Sequence, residues 1–251
     1  MHQGVDSPIL FILRKHRLLA GRFEVFNLLL ASLVVPFIGR TPSFLEQVSM
    51  ATLGRRKQGA KFVIVIGSVD HLALQRGDDV AKVKVHGPPK IADRNPDFPF
   101  VTVSPLLGAD QDWDVARLDA LLDHVTKTLR IDRSRIYLTG LSRGGHASWR
   151  WAMADPGRFA AVAPVAGYGD TSTACALKDK PVWAFHGDRD DVVKPEGSFA
   201  MQRAIRACGG LTARLTIYPD LGHNAWDPAY DDPSLYLWLL SHRLPQTKDK
   251  K

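Results

Sequence analysis

The sequence predicts an α/β fold built on a doubly wound, mostly parallel sheet. Three observations carry this reading. Continuous β-branched runs such as Phe62-Val63-Ile64-Val65-Ile66 read as strands buried on both faces. They alternate with stretches of helical period, as in Val115, Leu118, Leu121, Leu122 and Val125. The 251 residues, 45% apolar and 24% charged, suit one large domain with a core that needs no metal or disulfide. Strands alternating with helices imply a parallel sheet covered on both faces, with ligand sites at the C-terminal ends of the strands.

Residues 1–61 stand apart. They hold nine Lys/Arg against Asp6, Glu24 and Glu46, while residues 62–251 hold 24 basic and 23 acidic side chains. Nearly all of the net charge of +7 therefore belongs to this basic and apolar N-terminal segment. Its longer apolar run, Val25 to Ile38, is short of the roughly 20 residues a membrane-spanning helix needs. Basic residues before an apolar stretch are also the layout of a leader, and Ser49-Met50-Ala51 is the nearest small-residue cleavage site. A helix packed on the domain surface is the alternative. A cytoplasmic location is expected, with secretion or membrane association through residues 9–38 as the rival.

Residues 62–247 read as a single domain. After the strand at 62–66 come a strand at 100–103, a helix over 115–125 and a strand at 135–139. A helix over 143–153 and strands at 159–165 and 182–185 follow. Residues 196–208 form a helix stopped by Gly209-Gly210, then a strand runs from 211 to 218. Leu235 to Leu240 lies in a closing helix, and the Lys/Asp tail at 248–251 is expected to fray.

The composition excludes a disordered chain, a collagen-like repeat, a coiled coil and a small disulfide scaffold. Residues 62–251 carry no basic stripe with interleaved aromatics, so no nucleic-acid partner is expected. No metal-ligand spacing, phosphate loop or dinucleotide glycine loop is present, so neither metal nor cofactor is expected. Cys175 and Cys208 can form a disulfide or remain two buried thiols.

Gly140-Leu141-Ser142-Arg143-Gly144 directly follows a predicted strand and opens a predicted helix. In that setting a G-x-S-x-G is a sharp strand-to-helix turn that lifts the serine above the sheet. The Arg143 N–H, at a helix N-terminus, would face a developing oxyanion. A serine nucleophile needs a base and an acid that orients it. His146, His186, His223 and His242 follow in sequence; His223 is favoured because it sits in a loop just after a strand, whereas His146 would point away. Asp188, Asp190 and Asp191 close another strand, and Asp190 is favoured over the other two.

At these residues the sequence resembles the α/β-hydrolase superfamily. The resemblance rests on Arg135 to Ser142, Phe159 to Val165, Pro181 to Gly187 and Tyr218 to His223, and reaches back to Arg76-Gly77-Asp78-Asp79 and His86-Gly87-Pro88-Pro89-Lys90. It is similar to bacterial phospholipase/carboxylesterase, dienelactone-hydrolase-like and polyhydroxybutyrate-depolymerase-like esterases. The resemblance implies an α/β-hydrolase fold and a triad of Ser142, Asp190 and His223. It also implies oxyanion donors at Arg143 and at the residue matching Leu72, and relatives often carry both cysteines. Tyr168 and Trp226 are candidates for an acyl or aryl pocket.

The sequence departs from the family where an H-G-x-G turn should follow the first matched strand. His71 falls on the histidine, but the glycines become Leu72 and Leu74, and leucine does not readily take a positive φ. A divergent N-terminal segment or a shifted reading frame upstream of about residue 75 would each account for this. The expected activity is hydrolysis of small-molecule carboxylic esters through an acyl-enzyme. A serine peptidase, and a catalytically impaired hydrolase-like protein, are the alternatives.

Overall fold

The computed structural model describes residues 48–51, 60–68, 80–107 and 111–245. All lie in one compact unit, Ser43–Lys251. The apolar stretch 9–38, with its leader and anchor readings, lies outside the described residues, as do His71, Leu72, Leu74 and 76–79.

The described strands are β1 (Val48–Ala51), β2 (Ala60–Ser68), β3 (Val101–Pro105), β4 (Ile131–Ser142), β5 (Ala161–Val165), β6 (Val182–Gly187) and β7 (Ala213–Tyr218). They form one sheet in the order β1-β3-β2-β4-β5-β6-β7. β1 runs antiparallel to β3 and every other pairing is parallel. The helices are α1 (Gly87–Arg94), α2 (Val115–Thr128), α3 (Arg143–Ala154), α4 (Glu196–Ala207), α5 (Trp226–Asp231) and α6 (Pro233–Ser241).

Successive strand residues face opposite sides, and two buried clusters follow from that period of two. Ile136, Leu138 and Val162 pack with α2, α3 and α4. Tyr137, Leu141, Ala161, Ala163 and Val165 pack with α1, α5 and α6. The sheet is thus covered on both faces, which is why its strands read as unbroken apolar runs rather than alternating ones.

Helix α2 shows how local signals and packing agree. Asp114 caps it by accepting from the Ala116 N–H at 2.9 Å. Leu118, Leu121, Leu122 and Val125, the predicted stripe, are all buried against the sheet. Strand β1 was not predicted: four residues at a sheet edge are too few to show a period. It lies upstream of residue 62, within the stretch that charge sets apart. The Pro88-Pro89 start of α1 follows Gly87, whose φ of +67° suits only glycine well. Among the described residues no helix is long and apolar enough to cross a membrane.

Helix α4 stops as predicted. Gly209 takes φ +88°, its N–H donates to Arg206 O at 2.9 Å, and the Gly210 N–H donates to Ile205 O at 3.0 Å. Cys208, the last residue before this turn, is bonded to Cys175 in the 3-10 segment Thr171–Leu177, with Cα atoms 5.4 Å apart. The bridge closes a loop of 33 residues' separation, for which chain entropy gives a contribution of roughly 3–4 kcal/mol. Replacing both cysteines by serine is expected to lower the unfolding free energy by about that amount, read as a lower urea midpoint with a steeper slope, because the uncrosslinked denatured chain exposes more surface.

Candidate active site

Strand β4 ends at Ser142, whose φ of 54° and ψ of −117° lie in the region a non-glycine residue rarely adopts. The next residue, Arg143, begins α3. So abrupt a turn brings the first turn of α3 onto the end of β5. A Cβ on Gly145 would lie 2.5 Å from Val165 O, and one on Gly167 would lie 2.6 Å from the Gly145 carbonyl carbon. Backbone meets backbone there, so Gly145 and Gly167 are needed beside the motif itself. Neither position was singled out from the sequence.

Ser142 is the N-cap of α3, yet its side chain makes no capping bond. Its Oγ lies 2.9 Å from His223 Nε2 instead. His223 Nδ1 lies 2.7 Å from Asp190 Oδ2. A carboxylate accepts only, so Nδ1 carries the proton and Nε2 presents its lone pair to the Ser142 hydroxyl. The structure thus brings Ser142, His223 and Asp190 into one hydrogen-bonded chain. Asp188 and Asp191, its sequence rivals, are exposed.

Each member comes from the C-terminal end of a strand: Ser142 from β4, Asp190 from the turn after β6, and His223 from the loop after β7. The His223 loop is seated on β6 at Gly187, where a Cβ would lie 2.2 Å from Leu221 O and 2.3 Å from Gly222 O. Asp220, at φ +59°, makes the bend that carries the loop there, and the Arg189 N–H donates to Leu221 O at 3.0 Å.

Asp190 is buried and fully bonded. Oδ1 accepts from the Val192 and Val193 N–H groups at 3.0 and 2.9 Å. Oδ2 accepts from His223 and also lies 3.1 Å from His186 Nε2. Sequence reading passed over His186 as the end of a strand. The signal was its place four residues before Asp190, where one turn returns it to the same carboxylate.

Ser142 opens onto a cleft of about 840 Å³ whose described walls include Arg143, His146, Met153, Tyr168, Asp170 and Val193. His146 does not point away, as expected from its helix position, but stands in this wall. Its Nδ1 lies 2.9 and 3.0 Å from the carbonyl and N–H of Tyr168, and its ring meets the Tyr168 ring edge-on at 4.3 Å. The space that α3 shares with the Gly167 turn draws the His146 ring toward Tyr168. Tyr168 is 53% exposed to the cleft. Trp226 is elsewhere: it is 4% exposed, packed edge-on against His223 at 5.2 Å, and its ring backs the imidazole. Arg143 begins α3 and its side chain lies 3.8 Å from Asp112. Leu72 lies outside the described residues; β2 ends with Ser68 in register with Ser142. Among the described residues no group of three or more His, Cys, Asp or Glu could hold a metal ion.

Residues 76–232 match the model of the esterase family described as "Putative esterase". The chain belongs to this family. It is 28% identical over 149 residues to a bifunctional acetylxylan esterase/xylanase, XynS20E, of Neocallimastix patriciarum, covering 55% of this chain and 21% of that protein. It is 32% identical over 128 residues to a "Putative carboxymethylenebutenolidase" of Salmonella typhimurium, covering 45% of this chain and 47% of that one. The chain therefore spans less than half the length of either relative. The crystal structure of a thermostable esterase superposes with a TM-score of 0.65 at 24% identity, over 74% of this chain and 55% of that one. That likeness bears on the fold, which is the α/β-hydrolase fold.

Burial pulls His146, His186 and His242 below the ordinary histidine value of 6.5, because desolvation opposes the charged ring in each. Unfolding frees them to bind protons near 6.5 that the folded chain refuses. Stability is therefore full above pH 6.5 and falls as the pH descends below it. Urea midpoints at pH 7.5, 6.5 and 5.5 should decline in that order.

Proposed function

We propose that this protein hydrolyses carboxylic esters of small molecules through a covalent acyl-enzyme. The observation that carries the reading is the Ser142–His223–Asp190 hydrogen-bonded chain at the mouth of an open cleft. His223 Nε2 takes the proton of Ser142 as Oγ attacks the acyl carbon. Asp190 holds the ring with Nδ1 protonated and faces the imidazolium that forms. The Arg143 N–H, at the start of a 12-residue helix, holds the oxyanion. A second donor is assigned to the Leu72 N–H, on the family resemblance. Collapse of the tetrahedral intermediate breaks the ester C–O bond, and His223 returns the proton to the leaving alkoxide. Water, deprotonated by the same imidazole, then attacks the acyl carbon and frees Ser142. Tyr168 is proposed to line the acyl or aryl side of the cleft. Trp226 is proposed to act on substrate only through the ring of His223.

The test is hydrolysis of p-nitrophenyl acetate and butyrate by the purified chain beside Ser142→Ala. Removal of the nucleophile is expected to lower kcat by roughly 10³-fold or more. Equal rates in the two folded proteins would overturn the reading and favour a binding role without turnover.

A second variant addresses the seat of the base. Gly187→Ala places a methyl group against Leu221 and Gly222 carbonyls, so the His223 loop must lift. Because misplacement of about 1 Å can cost up to 10²-fold, kcat is expected to fall by about that factor with KM little changed. Steady-state kinetics on p-nitrophenyl butyrate checks the split.

A further inference from the structure

His186 is buried completely, lies outside the Ser142–His223–Asp190 chain, and has each ring nitrogen bonded. Nε2 lies 2.8 Å from Val193 O and 3.1 Å from Asp190 Oδ2. Both are acceptors, so Nε2 carries a proton. Nδ1 lies 2.7 Å from Ser198 Oγ. With the ring neutral, the two acceptors at Nε2 fix the tautomer and share its one N–H, which leaves Nδ1 as the acceptor facing the Ser198 hydroxyl. Burial holds the ring below the ordinary histidine range, which favours that neutral form. Ser198, itself buried on α4, lies 3.0 Å from Gly167 O as well. The hydroxyl is thus pinned between α4 and the turn that abuts α3.

We propose that His186, with its Nε2 proton held between Val193 O and Asp190 and its Nδ1 seated on Ser198, is a positioning residue that fixes the Oδ2 oxygen of Asp190 for His223. This rests on the ester-hydrolase reading above. Oδ2 is the oxygen that His223 uses, and two N–H groups from different elements converge on it: one from the loop after β7, one from the end of β6. The two backbone donors hold only Oδ1. Without the His186 N–H, the carboxylate keeps its hinge at Oδ1 but loses the contact that sets the position of Oδ2 and spreads its charge. His223 is then faced by a less constrained and more concentrated negative charge. Its other neighbours are unchanged: the Ser142 hydroxyl, the Trp226 edge, and the ring of His146 acting at a distance. Greater negative charge beside the ring favours its protonated, inactive form.

The experiment compares His186→Leu, His186→Gln and Ser198→Ala with the unaltered chain, on p-nitrophenyl acetate, as pH profiles of kcat and kcat/KM. Ser142→Ala serves as the zero. His186→Leu is expected to lose about 10–10² in kcat with KM nearly unchanged, and its acid limb should move to higher pH. His186→Gln keeps an N–H near the Nε2 position and should restore most of the rate and the limb. Ser198→Ala removes the contact that seats the ring at Nδ1, makes a smaller change in volume, and should shift the limb in the same direction with a several-fold loss. If His186→Leu fails to fold, as circular dichroism would show, Ser198→Ala carries the test. A folded variant that loses thermal stability but keeps both kcat and the acid limb would overturn the positioning role and leave the ester reading standing. Retention of the full rate in Ser142→Ala would overturn both.

Discussion

The strained turn at Ser142 is the constraint on which the rest of this structure depends. A strand that passes into a helix within one residue forces a positive φ on a side chain that resists it, at a cost of order 1–3 kcal/mol. The conformation persists because both sides of the turn are anchored. Before it, β4 pairs with β2 and β5 along its buried length. After it, α3 rests backbone against backbone on the Val165–Gly167 turn. The strain lifts the Ser142 hydroxyl off the sheet and leaves it without a capping bond, so it is available to His223.

The buried carboxylate of Asp190 sets the second requirement. A charge taken out of water is tolerated only when nearly every lone pair has a donor. Asp190 meets this with two backbone N–H groups on one oxygen and two histidine rings on the other. The donors come from three segments: the turn after β6, the loop after β7, and β6 itself. The electrostatic need of one side chain therefore fixes the relative placement of two loops. Gly187 makes this possible, since the loop bearing His223 lies directly on its Cα.

The cleft wall is built from the same parts. The turn after β5 supplies Gly167 and Tyr168; α3 supplies His146; the start of α4 backs Tyr168 at Gly197, where a Cβ would lie 2.5 Å from the tyrosine Cβ. The Cys175–Cys208 bridge ties the far end of α4 to the segment that follows Tyr168. Ser198 joins that wall to the Asp190 side of the site through His186. The cleft wall and the Ser142–His223–Asp190 chain thus share one support.

Fold class was legible in the sequence because it depends on local periods: β-branched runs, the α2 stripe, the glycine stop after α4 and the G-x-S-x-G turn each lie within a dozen residues. The same local patterns named Ser142, Asp190 and His223 as partners, aided by their chain order and by resemblance to known hydrolases. Other features were decided only by tertiary structure. Which of Asp188, Asp190 and Asp191 is buried depends on loops that close from β7. The contacts of His186 and of His146, the burial of Trp226 away from the cleft, and the bonding of Cys175 to Cys208 depend likewise on contacts between residues 12 to 140 positions apart. A linear pattern records what a segment can form by itself; it does not record which atoms fold back to satisfy a buried charge or fill the space beside a glycine, because those partners are set by the packing of the whole sheet.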